Sequence, residues 1–244
     1  HLFEVIQLDR LSEPQRPGGH PSQKIVAGLT AHVWETWGPP RMHAWARRCA
    51  ALHGNSKLLV AELHQFHDRV YLTENGVEPS PVRLAPDDRG GKGRAAAGAG
   101  AMTFGHVGKP NPRKGGALII DAAREAGVRL LVNQRTSRLA LPERAMAAWY
   151  RGIAVMVTAS NMDGTPNPML EAAASGAALL STAIGNMPEV IVPGLNGFLL
   201  SAPLPRRPGP LDAAPSPAAL ASIERAERRL RDELAERMRW FRSH

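Results

Sequence analysis

The segment 153–176 constrains the fold more than any other part of the chain, because it predicts a strand, a loop and a helix in immediate succession. Residues 153–159 form an apolar run of strand length, and the glycine, threonine and proline that follow are typical of a loop. Asn167 is the expected N-cap of the helix, Pro168 its first residue and Gly176 its C-terminal cap. The helix therefore starts at the carboxyl end of a strand.

The start of this helix is suited to an anion. The free amide groups of Met169 and Leu170, with the positive end of the helix dipole, would point at a ligand above the strand. Two carboxylates flank that position, since Asp163 precedes the helix and Glu171 lies one turn into it. One carboxylate can meet sugar hydroxyls beside a phosphate and the other can meet a group beyond it. This layout predicts a nucleotide sugar.

A second strand, loop and helix of the same kind lies upstream. The predicted strand 102–107 leads into a basic, glycine-containing loop with Gly108, Lys109 and Lys114, and the helix 117–126 follows. Such a layout is typical of phosphate binding. Taken alone, the loop fits a solvated basic turn equally well, and its coincidence with the later helix start favours the phosphate.

The rest of the chain continues the alternation of strands and helices. Further strands are predicted at 2–8, 24–29, 128–132 and 177–181, and further helices at 42–51, 58–63 and 142–151. A short edge segment at 52–55 precedes Ser56, the expected cap of the helix 58–63. Alternation at this spacing predicts an α/β fold with a doubly wound parallel sheet.

The spacing of Asp163 and Glu171, with seven residues between them, resembles the donor-binding signature of the family 4 retaining glycosyltransferases of the GT-B fold. The runs 185–189 and 193–198 extend the resemblance. The usual motif has Glu at both positions, so Asp163 departs from it by one methylene. The resemblance covers roughly residues 24–200 and is strongest after Met102.

The resemblance implies roles for particular residues. In such enzymes two cations hold the donor diphosphate, a glutamate holds the ribose hydroxyls, and a carboxylate and a histidine meet the transferred sugar. The catalytic positions would be Asp163 and His32, and the donor-binding positions Gly108, Lys109, Lys114, Asn167, Met169, Leu170 and Glu171. A histidine at a loop or at the edge of the core is the alternative for His32.

The resemblance, together with local composition and pattern, divides the chain into five parts. Residues 1–80 would be a partial N-terminal Rossmann-like domain on the acceptor side, and 81–100 a linker. Residues 101–200 would be the nucleotide-sugar-binding domain, and 201–217 a proline-rich linker. The chain opens on a residue other than Met, and we expect a fragment that lacks much of the N-terminal domain. Residues 218–244 predict an amphipathic helix that docks on the domain, pairs with another helix or lies on an anionic membrane.

Composition narrows the partners only partly. The formal net charge is +8, which suits phosphorylated substrates, an anionic membrane or nucleic acid, or an arginine-rich surface with no partner. Nucleic acid is not predicted, because no basic stripe is interleaved with aromatic residues. Cys49 is the one cysteine, and no apolar run approaches the roughly 20 residues of a membrane span. We therefore expect a cytoplasmic protein, with peripheral contact to the inner face of the membrane as the alternative.

The predicted reaction is transfer of a sugar from a UDP- or GDP-sugar to an acceptor hydroxyl with retention at the anomeric carbon. No Asp-x-Asp motif occurs, so we expect donor binding without a metal and without another cofactor. His53, His64 and His67 lack the carboxylate or cysteine that would complete a ligand set. An epimerase of the same fold and a catalytically inactive binding protein are the alternatives. The sequence identifies neither the donor base, the sugar nor the acceptor.

Overall fold

The computed structural model describes residues 26–30, 37–77, 102–108, 112–134, 141, 143–201, 203–205 and 215–244. The predicted strand 2–8, the predicted linker 81–100, His32 and Lys109 lie outside these residues. The chain forms two compact units. The first comprises the chain up to Asn75 together with 162–165 and 184–186, and the second comprises the remainder.

The described residues of the first unit form a three-stranded parallel sheet with two helices. Its strands are β1 (Val26–Leu29), β2 (Ala51–Gly54) and β3 (Val70–Leu72), and its helices are α1 (Pro39–Ala46) and α2 (Lys57–Leu63). The strand order is β1-β2-β3, so the segment predicted as an edge is the central strand. The edge interpretation was wrong because β1 and β3 both pair with β2, and pairing is decided by tertiary contacts rather than by local pattern.

The helix α2 begins as its sequence predicts. Ser56 lies in extended conformation before the helix, and its Oγ accepts a hydrogen bond of 3.2 Å from the amide of Leu59. Helices and strands of this unit enclose an apolar core of Ala27, Leu29, Met42, Trp45, Ala46, Leu52, Leu59, Leu63 and Phe66.

The second unit contains a five-stranded parallel sheet with flanking helices. Its strands are β4 (Thr103–Val107), β5 (Arg129–Asn133), β6 (Val155–Thr158), β7 (Ala178–Thr182) and β8 (Gly197–Leu200), in the order β5-β4-β6-β7-β8. A 3₁₀ turn at Pro112–Lys114 precedes α3 (Gly116–Ala126), and the other helices are α4 (Glu143–Arg151), α5 (Asn167–Ala174), α6 (Met187–Val190) and α7 (Pro217–Ser243). The α/β prediction is confirmed, and β8 is a strand that the sequence analysis did not predict.

The long C-terminal helix docks on its own unit. The apolar stripe of its second half packs with strands of the sheet and with α3, in a cluster that includes Phe104, Ile119, Ala122, Leu180, Leu230, Leu234, Met238 and Phe241. Polar contacts fasten the same pair of helices, since Arg239 Nη2 lies 2.8 Å from Glu125 Oε1 and Arg242 Nη1 donates to the carbonyl of Ala126 at 2.8 Å. Leu204, which lies within the predicted linker 201–217, also belongs to this core.

Candidate functional site

The sheet of the second unit has a topological switch point between β4 and β6. β5 pairs with one edge of β4, and β6 pairs with the other. The connection after β4 therefore runs to one side of the sheet and the connection after β6 to the other, which opens a crevice at the carboxyl ends of these strands. Open α/β sheets bind their ligands at such a crevice. Gly108 follows β4 directly, and Ser160 follows β6.

A loop with two cations occupies the β4 side of this crevice. We define the anion loop as Gly108 together with residues 112–116. Gly115 has a φ of +63°, and a Cβ at this position would lie 2.5 Å from the carbonyl oxygen of Ala159. Only glycine combines this left-handed backbone with so close an approach. The turn places Lys114 immediately before the N-terminus of α3, where the helix dipole also favours an anion.

Hydrogen bonds join the anion loop to the far side of the crevice. The carbonyl of Arg113 accepts from the amide of Asn161 at 3.0 Å and from Ser160 Oγ at 3.1 Å. The carbonyl of Ser160 accepts in turn from Thr182 Oγ1 at 2.6 Å, at the end of β7. Hydrogen bonds thus run continuously from the turn before α3, across the segment after β6, to the end of β7.

A buried histidine lies beneath the anion loop. His106 in β4 is 3% exposed, and its Nδ1 lies 3.0 Å from the carbonyl oxygen of Val157, so Nδ1 carries a proton and donates it. Burial lowers the pKa of His106 below its ordinary value; the hydrogen bond to Val157 opposes that shift, and the charge of Lys114 adds to it. The ring is therefore neutral near pH 7, and its Nε2 has a lone pair.

Glu171 has a partner that the sequence analysis missed. The phenolic hydroxyl of Tyr150, at the end of α4, donates to Glu171 Oε2 at 2.5 Å. Tyr150 is 2% exposed, so this donor is fixed by packing. The hydrogen bond orients one oxygen of the carboxylate. The available signal was the position of Tyr150 in the last turn of the helix before β6, but nothing in its spacing pointed to Glu171.

The helix that carries Glu171 starts differently from the prediction. It begins at Asn167, and Pro166 takes the N-cap position that had been expected for Asn167. The amide of Met169 donates to the carbonyl of Pro166 at 2.8 Å, and the Met169 side chain is buried in the core. Met169 therefore does not offer the free amide that was expected, because its N–H already donates within this first turn. Gly176 ends the helix as expected, with a φ of +83°.

Asp163 belongs to the first unit, whereas Glu171 belongs to the second. The segment around Asp163 is anchored where β2 ends, since Thr165 Oγ1 donates to the carbonyl of Asn55 at 2.8 Å. The Asn55 side chain is buried there, and its amide oxygen has no hydrogen-bond partner among the described residues. The structure thus brings Gly108 and Lys114 together at one crevice and pairs Glu171 with Tyr150. His32 and Lys109 lie outside the described residues.

The described residues contain neither a metal-binding cluster nor a membrane-spanning helix. No group of three or more histidine, cysteine, aspartate or glutamate side chains there is arranged to hold a metal ion. No described helix combines the length and the apolar character that crossing a membrane requires.

The chain is similar in fold to glycosyltransferases of known structure. The Anabaena protein HepE in complex with UDP-glucose superposes with a TM-score of 0.58 at 13% identity, over 91% of this chain and 68% of that one. Sucrose-phosphate synthase from Thermosynechococcus elongatus gives 0.56 at 17% identity, over 83% and 58%. The pneumococcal O-GlcNAc transferase GtfA in complex with UDP and GlcNAc gives 0.52 at 14% identity, over 90% and 48%.

The fold is GT-B. Residues 107–206 also match the family model described as glycosyl transferases group 1, and this match contains Gly108, Lys114, Tyr150 and Glu171. It covers 100 of the 244 residues of the GT-B chain. No curated protein sequence matches the chain. The chain spans about half to two thirds of the length of the solved structures named above.

Proposed function

We propose that this GT-B chain binds a nucleoside diphosphate sugar and transfers the sugar to an acceptor hydroxyl with retention at the anomeric carbon. The observation that carries the proposal is the coincidence of three features in one unit: a topological switch point, a basic glycine loop beside it, and a glutamate oriented by a buried tyrosine. The match to group 1 glycosyltransferases falls on the same residues.

Each residue of the proposed site has a chemical role. Lys114, the backbone at Gly108 and the amide groups that begin α3 would hold the diphosphate, and Lys109 would supply a second cation. During transfer the diphosphate leaves with negative charge, so groups already directed at it stabilise the transition state without reorganising. A preorganised donor of this kind contributes about 3–4 kcal/mol in well-studied sites.

The ribose and the sugar would meet the carboxylates. Glu171 would accept from the ribose hydroxyls, with Tyr150 holding Oε2 in place. Asp163 and His32 would face the transferred sugar. Asn167, Leu170 and the backbone near Met169 complete the donor side, although the amide of Met169 already donates within the protein.

The donor is proposed to be a UDP- or GDP-sugar bound without a metal. UDP is the first candidate, because HepE and GtfA were solved with UDP or a UDP-sugar. The acceptor is a sugar or glycoconjugate. We place the reaction in the cytoplasm, with peripheral contact to an anionic membrane as a further proposal, and we propose no nucleic-acid partner.

Nucleotide binding is tested by thermal unfolding with UDP and with GDP, each with EDTA present. A ligand at a hundred times its Kd stabilises the native state by about 2.7 kcal/mol, which is roughly 5–10 °C in Tm for a chain of this size. Glu171→Gln should remove most of the shift. The matched control is Glu236→Gln, which removes an exposed carboxylate on α7. If neither nucleotide raises Tm, or if binding requires added Mg²⁺ or Mn²⁺, the proposed donor site is wrong.

Transfer is tested separately with labelled UDP- and GDP-sugars and a panel of sugar acceptors. Appearance of label in the acceptor supports the transferase, and an isomerised donor would instead indicate an epimerase. Binding without either reaction would favour a catalytically inactive binding protein. Asp163 favours that second candidate, because it carries the shorter carboxylate at the position where glutamate is usual.

A further inference from the structure

Two glycines of the anion loop lie against one histidine ring. A Cβ on Gly108 would lie 2.7 Å from His106 Nε2, and one on Gly116 would lie 3.4 Å from it. The backbone at Gly108 therefore approaches the ring more closely than a residue with a Cβ would permit, whereas a Cβ on Gly116 would make ordinary van der Waals contact with the ring. The ring fills the space beneath the loop, between β4 and the first turn of α3.

The opposite edge of the ring is fastened to the sheet. His106 Nδ1 donates to the carbonyl of Val157 in β6, the strand on the far side of the switch point. The histidine thus connects the two strands that form the crevice, while its Nε2 edge supports the loop that spans it. No other described side chain both hydrogen-bonds to β6 and lies this close to both loop glycines.

The charge state of the ring matters for this arrangement. Lys114 is the charged group that acts on His106 among the described residues, and it opposes a second positive charge. The other elements packed against the ring contribute Val157 from β6 and Gly116 from α3, and neither is charged. A proton on Nε2 would enter a dry space beside Lys114 and next to the positive end of the α3 dipole. Such a charge can be relieved only if the ring or the loop moves.

We infer that His106 is a positioning residue for the diphosphate: its neutral ring keeps the anion loop in the form that receives the ligand, and acid weakens binding by displacing that loop. The inference rests on the proposed donor site and adds to it a group that touches neither the ligand nor the reacting atoms. It predicts that nucleotide affinity falls as the pH is lowered, and that protonation of His106 causes this loss.

The size of the effect follows from the fraction of protein with a neutral His106. If only that fraction binds, the apparent Kd rises in inverse proportion to the fraction that stays neutral. An ordinary histidine pKa near 6.5 would give about a thirtyfold loss at pH 5.0. Because burial lowers the pKa of His106, we expect a loss at pH 5.0 that is smaller than about thirtyfold.

The experiment compares the full chain with His106→Asn by isothermal titration with UDP and with GDP between pH 7.5 and 5.0. Asparagine can place its amide NH₂ near the Nδ1 position and so keep the hydrogen bond to Val157, but it does not titrate. UDP and GDP themselves lose charge over this range, and the variant corrects for that. Circular dichroism at each pH limits the comparison to folded protein. If His106 had a purely structural role, the ratio of the wild-type affinity to the variant affinity would then not change with pH.

We expect the affinity of the wild type to fall progressively relative to that of His106→Asn as the pH decreases from 7.5. His106→Leu, which cannot donate to Val157, should bind more weakly than His106→Asn at every pH. A ratio that stays constant with pH would overturn the inference. So would a wild type that gains affinity relative to the variant in acid, because His106 would then meet the ligand as a cation. Absence of UDP and GDP binding at pH 7.5 would instead remove the donor site itself.

Discussion

Replacing Gly115 by alanine should separate the anion loop from the strand end on which it rests. The new Cβ would lie 2.5 Å from the carbonyl oxygen of Ala159, about 1 Å inside the roughly 3.5 Å at which such atoms make favourable contact. The new Cβ is attached directly to the backbone of Gly115, and the atom that it meets is a backbone oxygen. No flexible side chain can therefore move aside to relieve the contact. Either the loop or the end of β6 must move.

The cost has two parts. A left-handed φ costs a residue with a Cβ about 1–2 kcal/mol, and forcing atoms into a packed site costs about 1–3 kcal/mol. Gly176→Ala is the matched control, because its φ of +83° imposes the first cost, while no described atom lies within 4 Å of the new Cβ. We therefore expect Gly115→Ala to lose about 2–5 kcal/mol of unfolding free energy and Gly176→Ala about 1–2.

The assay is urea unfolding of both variants, followed by titration of the folded proteins with UDP and GDP. The Gly115 variant should lose at least tenfold in affinity, because its loop can no longer lie against Ala159. The Gly176 variant should bind within about threefold of the wild type. Equal stability losses in the two variants, or unchanged nucleotide binding in Gly115→Ala, would refute the view that this contact sets the loop.

Two further substitutions examine the support of Glu171 and the docking of α7. Tyr150→Phe should weaken nucleotide binding about five- to tenfold by titration, since the Glu171 carboxylate loses a hydrogen bond worth about 1 kcal/mol or more. The control is Tyr71→Phe, on a side chain that is 58% exposed, and it should leave the nucleotide affinity unchanged. Equal losses of affinity in the two variants would remove the role of Tyr150. Leu234→Ala, in the buried part of α7, should lower the free energy of unfolding in urea by about 2–5 kcal/mol. Leu220→Ala, at 45% exposure near the start of α7, should change it by no more than about 0.5 kcal/mol. Comparable losses in the two variants would mean that the helix does not dock as described.

The sequence predicts the elements of the second unit well, because their cues are local. Apolar runs mark four of its five described strands, and glycines mark the ends of α3 and α5. It misses β8, whose four residues follow a turn within a glycine-containing run. It misplaces the start of α5 because Asn167 and Pro166 both suit a helix terminus, and only the backbone conformation of Pro166, with a φ of −76° and a ψ of 82°, decides between them.

Local cues likewise separate the site residues that the sequence predicts from those that it does not. Lys114 and Glu171 were predicted because their loop and helix contexts are local. Tyr150 and His106 were not, since Tyr150 meets Glu171 across 21 residues and His106 meets Val157 across 51. A buried partner at that distance leaves no periodic trace in the sequence. Groups that support a ligand-binding residue are therefore the part of such a site that requires coordinates.

The contact between α7 and α3 bears on how this protein can be divided. α3 begins at the anion loop and ends at Ala126. The guanidinium of Arg242, near the C-terminus of the chain, donates to the carbonyl of Ala126 and so holds that end of the helix. Removing α7 would uncover the apolar face of α3 and release its last turn. A shortened version intended to bind nucleotide by itself must therefore extend through Arg242, well beyond the end of the family match at residue 206.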